Sequence, residues 1–313
     1  MSQELFDAKP KLNRLPSNPD QSAKGRFPKW LHRKLPRGGT LSETNDIVKT
    51  SRLSTVCEEA KCPNRLECYS KKTATFLALG SACTRACGFC DIDFTKNPLP
   101  PEVDEPQRIA QSARALGLKH VVITMVARDD LPDQGAEHIA KIIRAIRSDS
   151  PLSTIEVLTS DYCGNWDALN IVLSEKPEVF NHNIETVREL TPRVRHKATY
   201  ERTLQVLDHA KRSNKSSFVK SGLMVGLGES EEQVQQTLQD LHTVGCDIVT
   251  IGQYLQASKN KLVVKSFVTP EQFNAYRIYG EAIGIGNVYS GPFVRSSYNA
   301  DLLKDSAMLK RKG

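Results

Sequence analysis

The sequence predicts an α/β fold with a parallel sheet. The main observation is that six strand-like runs alternate with six amphipathic helical runs over residues 73–284. A second is that the short β-branched run at 121–127 is the most apolar stretch in the chain, far short of the ~18–20 residues a membrane span needs. A third is that no internal repeat or low-complexity tract competes with the alternation.

Taken in order, TATFLALG reads as a strand ending at Gly80, and PQRIAQSARALGLK as a helix stopped by Gly117. HVVITMVA is a fully buried strand. AEHIAKIIRAIRSDS is a helix with Ile139, Ile142, Ile143 and Ile146 on one face. TIEVLTSD and NWDALNIVLSEK, EVFNHNIE and TYERTLQVLDHAKR, FVKSGLMVGLGE and SEEQVQQTLQDLHTVG, and CDIVTIGQYL and TPEQFNAYRIYGEAIG complete the strand–helix pairs. Each helix serves as the crossover between parallel neighbours. Six units are too few for a closed eight-stranded barrel; they either curve into an open partial barrel or lie as a doubly wound sheet.

With 313 residues, 39% hydrophobic and 25% charged, the chain is expected to be globular, and collagen, coiled-coil and disordered classes are excluded. MSQELFDAKP has two acids and no apolar block, so no cleaved leader is expected. Net charge is +7, and residues 1–50 hold ten Lys/Arg against five Asp/Glu. This N-terminal extension reads first as a solvated basic arm, laid on the surface by Trp30 and Leu31. A second reading is that it steers an acidic partner. Nucleic acid is a third reading, though the arm lacks aromatic interleaving beyond Phe27 and Trp30.

Eight cysteines are too few for a disulfide scaffold, and a reducing, cytoplasmic compartment is expected. Six of them fall between Cys57 and Cys90. Cys83-x3-Cys87-x2-Cys90 sits in the loop after the first strand, at the edge of the sheet where such folds place chemistry. Three thiolates can bind three irons of a four-iron cluster and leave the fourth open. Structural zinc fits less well, since only Cys87 and Cys90 form a CxxC pair and no fourth ligand lies nearby. A thioredoxin-like pair would leave Cys83 idle. The triplet Cys57-x4-Cys62-x5-Cys68 can hold a second cluster or join the first in one site; the unequal spacings favour two sites. Cys163 and Cys246 stand alone and are assigned nothing.

CTRACGFC resembles the CxxxCxxC signature of the radical S-adenosylmethionine (radical SAM) superfamily. CEEAKCPNRLEC resembles the second signature of one family within it, the lipoyl synthases. PKWLHRKLP, VARDDLPDQGA, FNHNIETV, SGLMVGLGE, CDIVTIGQYLQ and SGPFVRSSY extend the resemblance over residues 28–298. The resemblance implies a partial (βα)6 TIM-like barrel over 73–284 with N-terminal and C-terminal extensions. These are a basic extension (1–50), an auxiliary-cluster segment (51–72) and a tail (285–313) carrying RSSY. It implies two [4Fe-4S] clusters and S-adenosyl-L-methionine as cofactors. Cys83, Cys87 and Cys90 would hold the cluster that binds S-adenosylmethionine, whose cleavage yields a radical able to take hydrogen from an unactivated carbon. Cys57, Cys62, Cys68 and Ser297 would hold a sacrificial cluster that donates sulfur to C6 and C8 of an octanoyl-lysine. The serine oxygen is a hard, displaceable ligand among soft ones; taken alone, RSSY would be read as a polar turn.

By the same resemblance, Thr124, Asn183, Glu185, Arg195, Gly222 and Gly226 are candidate S-adenosylmethionine contacts. Arg195 is suited to a bidentate grip on its carboxylate. Arg128, Asp129 and Asp130 either orient ligands or cap the next segment, and His182 reads as a packed or surface histidine. The implied partners are octanoylated lipoyl carrier domains (2-oxoacid dehydrogenase E2 subunits, glycine cleavage H protein), a ferredoxin- or flavodoxin-type electron donor and an iron–sulfur carrier for cluster repair. Neither nucleic acid nor membrane is implied. Two details depart from the family pattern, Asn299 after RSSY and Ala257 in LQAS. Biotin synthase lacks a triplet like Cys57/Cys62/Cys68, and methylthiotransferases carry extra domains for which this chain has no room. A basic zinc-binding nucleic-acid protein is the reading from another class.

Overall fold

Seven parallel strands frame the molecule: β1 (Thr75–Ala78), β2 (His120–Met125), β3 (Thr154–Leu158), β4 (Val179–Asn181), β5 (Phe218–Val225), β6 (Ile248–Gln253) and β7 (Asn287–Gly291). They pair side by side in chain order. This computed structural model describes residues 27–32, 40–213, 217–297 and 300. Most of the basic arm, Tyr298, Asn299 and the rest of the tail lie outside the described residues. Among the described strands β1 and β7 do not pair, so the sheet stays open, and Ser54–Thr55 adds an antiparallel strand outside β1.

The six predicted crossovers are present as Glu105–Ala115, Ala136–Asp149, Trp166–Ser174, Tyr200–Ser213, Glu231–Thr243 and Pro270–Ala282. Their ends follow local chemistry. Asn165 Oδ1 accepts the Ala168 amide at 3.1 Å, Ser230 and Gln233 form a reciprocal capping box, and Thr269 caps the helix that opens with Pro270. The isoleucine face of Ala136–Asp149 is fully buried, and every residue of β2 and β6 is buried, as expected for strands covered on both faces.

Two elements depart from expectation. β7 is a seventh parallel strand inside the segment read as tail, pairing with β6 from Asn287↔Ile248 to Gly291↔Gly252. Thr40–Thr50, within the extension read as an arm, is a helix. Its buried Thr44 donates from Oγ1 to the Tyr69 carbonyl at 2.8 Å, tying it to the helix Arg65–Ser70. In the arm itself Leu31 is buried, Phe27 packs edge-on to Phe267 at 5.7 Å, and Trp30 stays exposed.

A charged layer lies deep in the sheet's interior. Lys220 Nζ on β5 sits 2.9 and 3.0 Å from the two carboxylate oxygens of Glu156 on β3, and Asn181 Nδ2 on β4 donates to Oε1 at 2.8 Å. His120 of β2 lies 3.5 Å from the same carboxylate. Burial pushes the Glu156 carboxyl up, but the Lys220 charge and the His120 contact outweigh it and hold the pKa at about 2. Because this folded-state value lies below the unfolded one, the stabilisation is complete above about pH 4.5 and drains away as pH falls towards 2. Lys220→Met would strand the Glu156 charge and should cost roughly 3–5 kcal/mol near neutrality. Urea unfolding of wild type and variant across pH 2–7 should show that gap narrowing with acid; a gap independent of pH would rule out this account.

Candidate active site

A cavity of about 640 Å³ opens at the carboxyl edge of the sheet. Thr124, Leu158, Gly222, Thr250 and Gly252 line it from β2, β3, β5 and β6. Glu156 and Lys220 precede Leu158 and Gly222 by two residues, so on alternating strands the charged layer is one tier below this floor. Much of the wall is apolar, with Phe89, Met125, Leu223, Met224, Tyr254 and Phe293 among the lining.

Cys83, Cys87 and Cys90 enter this cavity from the loop after β1. The loop is fixed along its length. Thr84 bonds the Ala127 carbonyl through both N–H and Oγ1, Gly88 N–H reaches Val194 O at 3.0 Å, and Leu262 N–H reaches Gly88 O at 2.9 Å. Between the cysteines, Arg85 forms a fork with Asp129 (Nη2···Oδ1 2.8 Å, Nε···Oδ2 2.9 Å) and an ion pair with buried Asp161 at 2.7 Å. Arg202 meets the other Asp161 oxygen at 3.1 Å. Burial pushes the Asp161 carboxyl up, yet Arg85 overrides it and brings the pKa to about 2. Cys163 joins as a neighbour, 3.0 Å from Arg85 Nη2 and 3.4 Å from Asp129 Oδ1. Sequence reasoning missed this network. Its only local signal was an arginine between two cysteines.

Of the candidate S-adenosylmethionine contacts, Thr124, Asn183, Glu185, Arg195 and Gly222 line the cavity. Gly226 is not among the lining residues. Its φ is +101°, its N–H is bound by the Glu229 carboxylate, and a Cβ there would strike Gln253 and the Ser266 carbonyl, so its backbone is needed for packing. Asn183 Nδ2 donates to Glu185 Oε1 at 3.0 Å. The Glu185 carboxyl is pushed up by burial, partly offset by Arg195 and Asn183. Arg195 Nη1 holds the Asn183 carbonyl at 2.8 Å. Arg128 is buried and forks onto Asp130 at 2.8 Å while reaching the Leu79 carbonyl, so this pair ties the chain rather than facing the cavity. His182 is packed rather than on the surface, its Nδ1–H donating to Thr159 O at 2.9 Å and its Nε2 meeting Thr203 Oγ1 at 3.3 Å, though one edge reaches the lining; burial and Arg195 lower its pKa to about 4.

Cys57, Cys62 and Cys68 come from the helix Val56–Glu59, the following turn and the helix Arg65–Ser70. With Asn64, Thr75, Arg295 and Ser297 they line a second, small cavity. Cys62, Arg295 and Ser297 also line the large one, so the two spaces adjoin. The tail gets there by a close crossing. A Cβ at Gly252 would lie 2.1 Å from Val294 O, and one at Gly222 would lie 2.8 Å from Ser296 Oγ. Ser296 Oγ bonds Asn183 Oδ1 at 2.6 Å, and Asn64 Nδ2 donates to Phe293 O at 2.8 Å.

Both triplets suit an iron–sulfur group. Each offers three free thiols to one cavity, and sulfur is the soft donor such irons take. Burial, with the charge of Cys62, pushes Cys57 up to about 12; burial and its fellow cysteines do the same for Cys68; and burial brings Cys90 to about 12, with Cys87 and Cys83 adding to it. Among the described residues no three His, Cys, Asp or Glu converge on a single-ion position.

The chain matches the family model of the Radical SAM superfamily over residues 77–241. It is 61% identical over 300 residues to the lipoyl synthase of Protochlamydia amoebophila, covering 94% of this chain and 93% of that one. It is 56% identical over 296 residues to the lipoyl synthase of Chlamydia muridarum, covering 95% and 96%. Among solved structures, methylornithine synthase (PylB) superposes with a TM-score of 0.52 at 14% identity, covering 88% of this chain and 93% of that one, a likeness of fold.

The Arg85 network makes its own prediction. Asp161→Asn removes one charge from a buried pair and should cost roughly 3–5 kcal/mol locally. Hydrogen exchange should show the Thr84 and Gly88 amides of the loop opening faster in the variant than in wild type. Equal exchange rates would show that the Arg85–Asp161 pair does not set the loop.

Proposed function

This chain belongs to the lipoyl synthase family of radical SAM enzymes, and on that premise we propose which of its residues carry each part of the work. It is a radical SAM sulfurtransferase, inserting two sulfur atoms at C6 and C8 of a protein-bound octanoyl chain. Its substrates are octanoylated lipoyl carrier domains, and its cofactors include a four-iron cluster and S-adenosylmethionine. When bound, these supply the one-electron chemistry that breaks an unactivated C–H bond, which no acid–base side chain can do.

We assign Cys83, Cys87 and Cys90 to that cluster, and Arg85 to holding their loop. We assign Asn183, Glu185 and Arg195 to the polar end of S-adenosylmethionine, Thr124 and Gly222 to the floor beneath it, and the apolar wall to excluding water and seating the acyl chain. We assign Cys57, Cys62, Cys68 and Ser297 to a second, auxiliary four-iron cluster that gives up its sulfide. One observation carries the assignment: Cys62 and Ser297 line both cavities, so a group held by the first triplet faces the space served by the second. The block 51–72 is then the auxiliary-cluster segment and 73–284 the radical-generating barrel.

A ferredoxin- or flavodoxin-type donor and an iron–sulfur carrier fit the electron and cluster demand of this chemistry. Among the described residues no helix is long and apolar enough to cross a membrane. The eight free cysteines support a reducing compartment, for which we propose the cytoplasm.

Mass analysis of an octanoyl-lysine peptide after incubation with reductant and S-adenosylmethionine should show the gain of two sulfurs. Cys87→Ala should abolish cleavage of S-adenosylmethionine. Cys62→Ala should leave cleavage measurable and stop sulfur gain. Lipoyl product from Cys62→Ala would overturn the auxiliary assignment, as would iron content well below about eight per chain in reconstituted wild type.

A further inference from the structure

Asn64 occupies the N-cap position of the helix Arg65–Ser70, yet its side chain makes no capping hydrogen bond. Asparagine is among the best N-caps because its side-chain oxygen can accept a first-turn amide. Here the side chain is instead buried, lines the Cys57/Cys62/Cys68 cavity and donates from Nδ2 to the Phe293 carbonyl, across 229 residues of sequence. Phe293 begins the five residues that cross the sheet's mouth to Ser297. Downstream the crossing is fixed by different contacts: the Val294 amide on Gly291 O at 3.1 Å, Val294 O against Gly252, and Ser296 Oγ on Asn183 Oδ1. Asn64 is thus a direct side-chain tie between the cysteine segment and the start of the crossing.

We propose that Asn64 is a positioning residue that latches segment 293–297 onto the cysteine segment and so sets where Ser297 stands relative to Cys57, Cys62 and Cys68. The latch rests on the auxiliary-site reading for its purpose but not for its existence. It also has a second end. Ser296 is bonded to Asn183, and Asn183 to Glu185, so the same short segment joins the auxiliary cysteines to the candidate S-adenosylmethionine residues.

The decisive variant is Asn64→Asp. Aspartate caps helices as well as asparagine does. If Asn64 were only a helix-end residue, the change would be neutral or stabilising. As a latch it fails, because a carboxylate facing the Phe293 carbonyl has no proton to donate. Hydrogen exchange of the full-length apoprotein should show the Val294 amide opening roughly tenfold faster, the scale of one lost hydrogen bond, with Arg65–Ser70 unchanged. Gly252→Ala, which forces Val294 away from below, should speed the same amide by a different route. In reconstituted Asn64→Asp enzyme, the ratio of sulfur inserted to 5′-deoxyadenosine released should fall roughly tenfold.

Unchanged exchange at Val294 in Asn64→Asp would overturn the latch. Faster exchange there with an unchanged product ratio would overturn its role in setting Ser297. If wild type inserted no sulfur, the functional reading would fail while the exchange result still judged the latch.

Discussion

The Arg85 guanidinium is the constraint on which the site depends. A loop bearing three sulfurs needs a reason to hold one shape, since its thiols repel one another once ionised and the short ladder that closes it, Ala82–Cys83 beside Asp93–Phe94, pairs just its two ends. Arg85 supplies that reason from inside the loop. Its fork grips Asp129 after β2, and its remaining nitrogen grips Asp161 after β3. Two neighbouring strands thereby fix the orientation of a loop that belongs to neither. Asp161 is buried and paired twice, which makes this end of the molecule stiff. The cysteines on either side of Arg85 inherit their place at the sheet's mouth from that stiffness.

Much of this was legible in the sequence, and what was not has physical causes. The six strand–helix units announce themselves through β-branched runs and helical spacing, because both patterns are local. β7 does not, since NVYSG holds only two apolar side chains and becomes a strand by borrowing the edge of β6. Thr40–Thr50 is polar enough to pass for an arm; its order comes from Thr44 and a few apolar contacts with the helix beyond it. Cysteine spacing gave both triplets. The resemblance set Ser297 beside Cys57, Cys62 and Cys68, which requires the tail to cross the mouth, but it did not say what lets it pass: Gly222 and Gly252 look like any strand glycine until another chain segment lies on them. Gly226 shows the reverse case, a glycine that looked like a ligand contact and is needed for packing.

The two cavities share residues, and that sharing is economical. Groups that must exchange an atom have to meet closely, while groups that generate and quench a radical have to be kept from solvent. An apolar wall does the second. The tail serves the first, since Arg295 and Ser297 line both spaces.

The charged layer of Lys220 and Glu156 carries a further consequence. Set one tier beneath the floor, it places a paired charge under the cavity, so acid that protonates Glu156 would loosen the platform on which the mouth of the sheet is built.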